Sequence, residues 1–147
     1  VAQYFDLIAF AMPSNQQPGY EIQILHNVLA VKLTGRWDLA SDRDYLHDLS
    51  QAINNVNHQP WGMLVDMRDW GLQQVDSNLF SNNVANIHLD RKNQVCECWL
   101  VHHLTQGEQL VPFVATLPNL HFKRVLRPQD AQQWLSLFDL EMPSLAV

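Results

Sequence analysis

The chain has 147 residues, 47% of them hydrophobic, and a formal net charge of −6 at neutral pH. That length fits one domain able to bury about two-thirds of its unfolded surface, and no apolar run approaches the ~18 residues of a membrane span. Only nine residues are basic, which argues against a nucleic-acid backbone as partner, because such binding runs on clustered Lys and Arg.

The N-terminal stretch carries Tyr4, Phe5, Leu7, Ile8 and Phe10 but has no basic lead-in and includes Asp6. It reads as a mature arm or pairing strand rather than a signal peptide. If it packs against a second copy, it makes a dimer contact easy to picture, since these side chains are costly to leave in water. A turn-rich break, Pro-Ser-Asn-Gln-Gln-Pro-Gly over 13–19, then divides an arm or extra strand at 1–19 from an α/β domain at 20–147.

Tyr20, Ile22, Ile24 and His26 alternate with Glu21, Gln23 and Leu25, the pattern of a half-buried strand. A second alternation sets Leu29, Val31 and Leu33 against Ala30, Lys32 and Thr34. His26-Asn27 between them predicts a tight hairpin turn, with Asn tolerating positive φ. Gly35-Arg36-Trp37-Asp38 ends the second strand. Ser41 is the expected N-cap of a first helix, with Asp42 and Asp44 favouring its positive end. Tyr45, Leu46, Leu49, Ala52, Ile53 and Val56 form its apolar stripe, and Pro60 stops it.

Next comes Trp61-Gly62-Met63-Leu64-Val65-Asp66-Met67-Arg68-Asp69-Trp70, an apolar run that turns abruptly ionic. It is too short for a helix and suits a central strand. Functional groups in open α/β sheets gather where strands end, so Asp66 to Asp69 marks the expected working edge. Leu79, Phe80, Val84 and Ile87 predict a second helix, weakened by Asn78, Asn82, Asn83 and Asn86. Residues 94–101 read as a strand. Thr105 with Glu108 resembles a capping box for a third helix carrying Leu110, Val111, Val114 and Leu117, although Pro112 blurs its start. Residues 122–126 form a last strand. Ala131, Trp134, Leu135 and Phe138 then define a closing helix that begins near Pro128. The order predicts a single-domain mixed sheet of about five strands, an N-terminal hairpin and then βα units, with about four helices.

The hairpin, Gly35-Arg36-Trp37-Asp38, the strand Leu64-Val65-Asp66-Met67-Arg68-Asp69 and Asp130-Ala131-Gln132-Gln133-Trp134-Leu135 resemble the SpoIIAA-like group of STAS-type domains over roughly residues 20–140. The resemblance implies a small cytoplasmic bacterial α/β module without catalysis, whose helix after the Asp-ending strand meets protein partners. Some relatives are thought to hold apolar ligands. It also implies a regulated serine near the start of that helix, preceded by an Asp, and Asp76-Ser77 is the only pair of that kind. A phosphate on Ser77 would be welcomed by bare helical N–H groups. The loop from Asp66 to Asp76 is longer than the family's pattern and no Gly follows Ser77, so N-capping by Asp76 or Ser77 is the plainer role.

Other residues invite chemistry. Cys96 and Cys98 share one side of a strand and, being only two, build no disulfide framework, so a reduced cytoplasmic setting is expected. Their spacing, even beside His102 and His103, suits packing better than a metal, and no metal or cofactor is expected. Asp66, Arg68, Asp69 and Asp76 make the candidate functional edge, with local pairing or loop capping as the plain alternative to acid–base work. No phosphate loop, nucleophile elbow or His-Glu metal motif is present. Trp37, Trp61 and Trp70 fall at strand boundaries and suit an interface or ligand pocket, or else packing under loops. Lys123-Arg124 with Arg127 reads as decoration of one strand.

The reading is a non-enzymatic regulatory module that acts through protein partners or self-association, its second helix, from about Ser77 to Leu89, making the contact. The alternative is a carrier or sensor of a small apolar ligand, and the third, an enzyme using Asp66, Asp69 and His102 or His103. No nucleic acid and no membrane span are expected.

Overall fold

A computed structural model describes residues 17–72, 87–115 and 117–140. Five strands form one mixed sheet: β1 (Gly19–Leu25), β2 (Val28–Trp37), β3 (Trp61–Leu72), β4 (Gln94–Leu100) and β5 (His121–Val125). Their spatial order follows the chain, β1-β2-β3-β4-β5. β1 pairs antiparallel with β2, and the remaining pairings are parallel. Among the described residues three helices accompany them: α1 (Leu39–Asn54), a single turn α2 (Pro112–Ala115) and α3 (Pro128–Ser136).

The hairpin closes at Leu25↔Val28. The left-handed position in its turn is His26, at φ 58°, and not Asn27 as expected. Histidine is among the residues that tolerate this region better than most. α1 also starts earlier than expected. Asp38 is its N-cap, with Oδ1 accepting from the backbone N–H of Ser41 and from its hydroxyl, each at 2.8 Å. Those two donors hold the Asp38 carboxyl below its ordinary value. Ser41 is therefore a cap's donor rather than the cap.

The central strands are buried on both faces, which is why they read as near-continuous apolar runs. On one face Leu29, Val31, Leu33, Met63, Val65 and Met67 meet Leu46, Leu49 and Ile53 of α1. On the other, Val28, Leu64, Cys96, Cys98 and Val125 meet Ala131 and Leu135 of α3 together with Leu140. Fully burying a side chain such as Ile53 or Leu135 contributes about 1.5–3 kcal/mol. Gly62 permits the close approach on the second face. A Cβ there would lie 2.8 Å from Cys96 Sγ and would collide with Leu140 Cδ1.

Two helical expectations change. The third helix shrinks to a 3₁₀ turn, Glu108–Leu110, followed by α2. Its capping box does not form, because the Thr105 hydroxyl pairs with His103 Nδ1 at 2.9 Å and the Glu108 carboxylate with Arg124 at 2.6 Å. The preceding Gly107, at φ 75°, is left-handed and keeps the chain out of helix until Glu108. Most of the expected second helix, with Asp76 and Ser77, lies outside the described residues, as does the arm at 1–16. Residues 87–89 are described and are not helical. Among the described residues no helix is long and apolar enough to cross a membrane.

Candidate functional site

β3 does not end at Asp66. Its ladder with β4 stops at Asp66↔Leu100, but its ladder with β2 runs on to Trp37↔Leu72. Between Lys32↔Asp66 and Thr34↔Asp69 the register shifts, so that Met67 and Arg68 both oppose Leu33. This β-bulge re-aims the ionic side chains where β4 leaves the sheet.

At the bulge Arg68 folds back on Asp66. Its Nε and Nη2 donate to the two carboxylate oxygens at 3.0 and 2.9 Å, and its backbone N–H adds a third contact at 3.2 Å. The two-point pair raises the guanidinium's affinity for its proton and fixes the turn of the strand. Asp69 behaves differently. Its side chain is 9% exposed, and Oδ1 has no hydrogen bond among the described residues. The nearest cation-forming group is His102 Nε2, 3.9 Å away, beyond hydrogen-bonding distance. His103 is turned to Thr105 instead.

Gln106 holds this rim together. Its Nε2 donates to the carbonyls of Met67 at 2.5 Å and Trp70 at 3.3 Å, while its Oε1 accepts from the His102 backbone at 2.8 Å. One amide thus ties the loop after β4 to two carbonyls of β3 beyond the last β3–β4 pairing. No local pattern marks Gln106 in the sequence, because its two contacts with β3 are set by tertiary approach and only the one with His102 is local.

The boundary tryptophans do not gather at one end. Trp37 and Trp70 meet edge to face at 6.0 Å near the rim, and Tyr45 joins Trp37 at 5.1 Å. Trp61 sits at the opposite end of β3, its indole donating to the Lys92 carbonyl at 2.9 Å. All three rings are buried. Trp37 donates to the Thr34 carbonyl, whereas Trp70 Nε1 finds no acceptor among the described residues. These rings are core of the first face rather than an open pocket.

The sequence reading passed over a second polar cluster, inside the first core. Glu97, in the middle of β4, accepts from Arg91 at 2.7 Å, Gln94 at 3.1 Å and the Trp99 indole at 2.8 Å. A signal was available: a glutamate flanked by two buried cysteines on a central strand demands a cation nearby. Beside the network lies a cavity of about 90 Å³ lined by residues that include Leu46, Met63, Val65, Leu110 and Phe113. Cys96 and Cys98 are free and buried, and desolvation pushes both thiols up to about 12. Among the described residues no three His, Cys, Asp or Glu side chains converge to hold a metal ion.

With this geometry the chain superposes on a protein of the DUF3478 family from Shewanella loihica PV-4, described as having a SpoIIAA-like fold. The TM-score is 0.58 at 17% identity, covering 82% of this chain and 94% of that one. The fold is SpoIIAA-like. An anti-sigma factor antagonist from Mycobacterium paratuberculosis also aligns, at 16% identity over 82% of this chain and 95% of the other, but its TM-score of 0.43 is too low to argue from. No protein-family model and no curated protein matches the chain. The SpoIIAA-like likeness agrees with the resemblance read from the β1–β2 hairpin, the Asp-ending run of β3 and the start of α3.

Proposed function

We propose that this SpoIIAA-like domain is a non-catalytic binding module that acts through protein contacts. The observation that carries the reading is the state of the rim. Arg68 occupies both oxygens of Asp66, and Asp69 stands 3.9 Å from His102, so among the described residues of the rim no carboxylate and histidine share a proton-transfer contact. Two of the charged groups expected to work as chemistry, Asp66 and Arg68, are instead spent on each other at the bulge. The segment from about Ser77 to Leu89 follows β3 in sequence, and in this reading it meets the partner in the cytoplasm, with Ser77 as the residue whose phosphorylation would change that contact.

Native mass spectrometry of the chain purified from its own host tests the reading. A co-purifying protein or a self-assembled oligomer is the expected result. A monomer without any protein companion, under conditions where the host makes it, would overturn it. A Ser77→Asp variant with unchanged partner binding would remove the switch and leave the contact.

The cavity beside Glu97 favours a second reading, a small apolar ligand. Its 90 Å³ is well below the ~300–1,000 Å³ of drug-sized sites, so the occupant would be a fragment of a few heavy atoms. Trp37, Trp61 and Trp70 do not line it. The same native spectra decide: a retained small molecule at fixed stoichiometry supports this reading over the first.

A further inference from the structure

Four large apolar side chains stand exposed on the described surface: Ile24, Leu104, Leu126 and Leu137. Three of them, Leu104, Leu126 and Leu137 at 55%, 48% and 75% exposure, line one groove of about 650 Å³. The groove runs along the end of β5 and the flank of α3, where Trp134 forms part of its wall. β5 is the outer strand, with β4 its only strand neighbour among the described residues. Among the described residues no strand pairs with its far edge, and an unpaired edge is a ready template for another extended chain.

Charge selects the occupant. The protein is acidic, yet three of its nine basic residues, Lys123, Arg124 and Arg127, fall within five positions along this groove. The Arg124 side chain is only 15% exposed and already pairs with Glu108 at 2.6 Å. The charge open to a partner therefore comes from exposed Lys123 and Arg127, and the groove lining carries one carboxylate, Asp130. Arg127 holds Asp130 at 3.0 Å in an exposed pair, and such pairs contribute little and exchange readily. Lys123 is exposed and has no carboxylate partner among the described residues.

We propose that this groove docks an extended acidic segment of a partner protein, which pairs with the outer edge of β5 and covers the three leucines. Alternate side chains of an extended segment point to opposite sides, so a sequence alternating Leu or Val with Asp or Glu fits both the apolar floor and the cationic rim. This surface rests on the protein-binding reading above and gives it a location and a partner chemistry.

The test is selection of a displayed library of random 12-residue peptides on the full-length chain, with the enriched peptide synthesised and titrated into isotope-labelled protein. Expected are acidic–apolar peptides, amide shifts concentrated at 121–127 and 130–137, and weaker binding at high salt. Leu126→Asp with Leu137→Asp should weaken binding about tenfold or more. Circular dichroism checks that this double variant folds. Lys123→Glu, at an exposed site, gives an independent loss if it does not. No enrichment, peptides without acidic bias, shifts elsewhere, or binding indifferent to both variants would overturn the proposal. So would a dimer in analytical ultracentrifugation that these variants dissolve, or binding to anionic lipid vesicles that they abolish, since each puts a different occupant on the groove. Peptides that bind another face defeat the groove and leave the protein-binding reading intact. A chain without any companion in its host defeats that reading separately.

Discussion

Glu97 and Asp69 are both carboxylates nearly shut off from solvent, with side chains 3% and 9% exposed, and the fold treats them in opposite ways. Glu97 sits inside the first core and receives donors from Arg91, Gln94 and Trp99. Asp69 sits at the rim with one oxygen unmatched and a histidine just out of reach. A buried carboxylate with both oxygens engaged by donors fixes one packing arrangement. One left short of donors is compatible with a region whose contacts are completed by something else. The two carboxylates thus differ in how fully their oxygens are matched, although residue type alone would not separate them.

Removing Arg91 should break that contrast most severely. Arg91→Met leaves Glu97 buried without its cation, and about 3–5 kcal/mol of stability should be lost in urea unfolding. Adding Glu97→Leu should recover most of the loss, because the paired replacement removes the uncompensated charge. If the single variant unfolds at the wild-type midpoint, the network is not what orders this part of the core.

Gly62→Val comes next. The new side chain would drive into Cys96 Sγ and Leu140, at a cost of about 1–3 kcal/mol in the same measurement. Gln106→Ala should cost about 1–2 kcal/mol, because two backbone carbonyls lose their donor. Hydrogen exchange should quicken at 102–107 and around Met67 before the rest of β3. Uniform quickening would mean that Gln106 supports the whole sheet rather than the rim alone.

Asp38→Ala should cost about 1 kcal/mol, the usual worth of a helix cap, and Ser41→Ala less. The sign with pH follows from the lowered carboxyl value. The cap's ionic contribution is complete above the ordinary 3.8 and fades as pH falls through the lower value in the folded chain. Asp38→Asn should therefore flatten that part of the acid limb of a stability–pH curve. The smallest effect concerns the thiols. With both pushed up to about 12, Cys96 and Cys98 should resist iodoacetamide at neutral pH until urea exposes them.

Strand content was legible because period-2 alternation in 19–37 and short apolar runs at 61–65 and 94–101 are imposed by burial on the pleat. α3 was legible for the same kind of reason, with Pro128 at its first position and a clean 3.6-residue stripe. Asp38 was less visible as a cap because Ser41 lies closer to the first stripe residue and has an equally good side chain for the role. The bulge at Met67–Arg68 could not be read from its own residues. It exists only relative to β2, through a register that the intervening α1 brings about. The same holds for the abortive third helix, whose two capping groups were drawn away by His103 and Arg124. At the rim, Asp66, Arg68 and Asp69 were found by the abrupt polarity change, whereas Gln106 was hidden by distance along the chain.

Strand order that copies chain order has a consequence for how the molecule is made. Emerging from a ribosome, each strand from β2 onward would find its hydrogen-bonding neighbour already synthesised, and none would have to wait for a later piece to be inserted beside it. The sheet can grow by accretion at one margin, with β5 laid down last, which keeps the newest margin open until synthesis passes it.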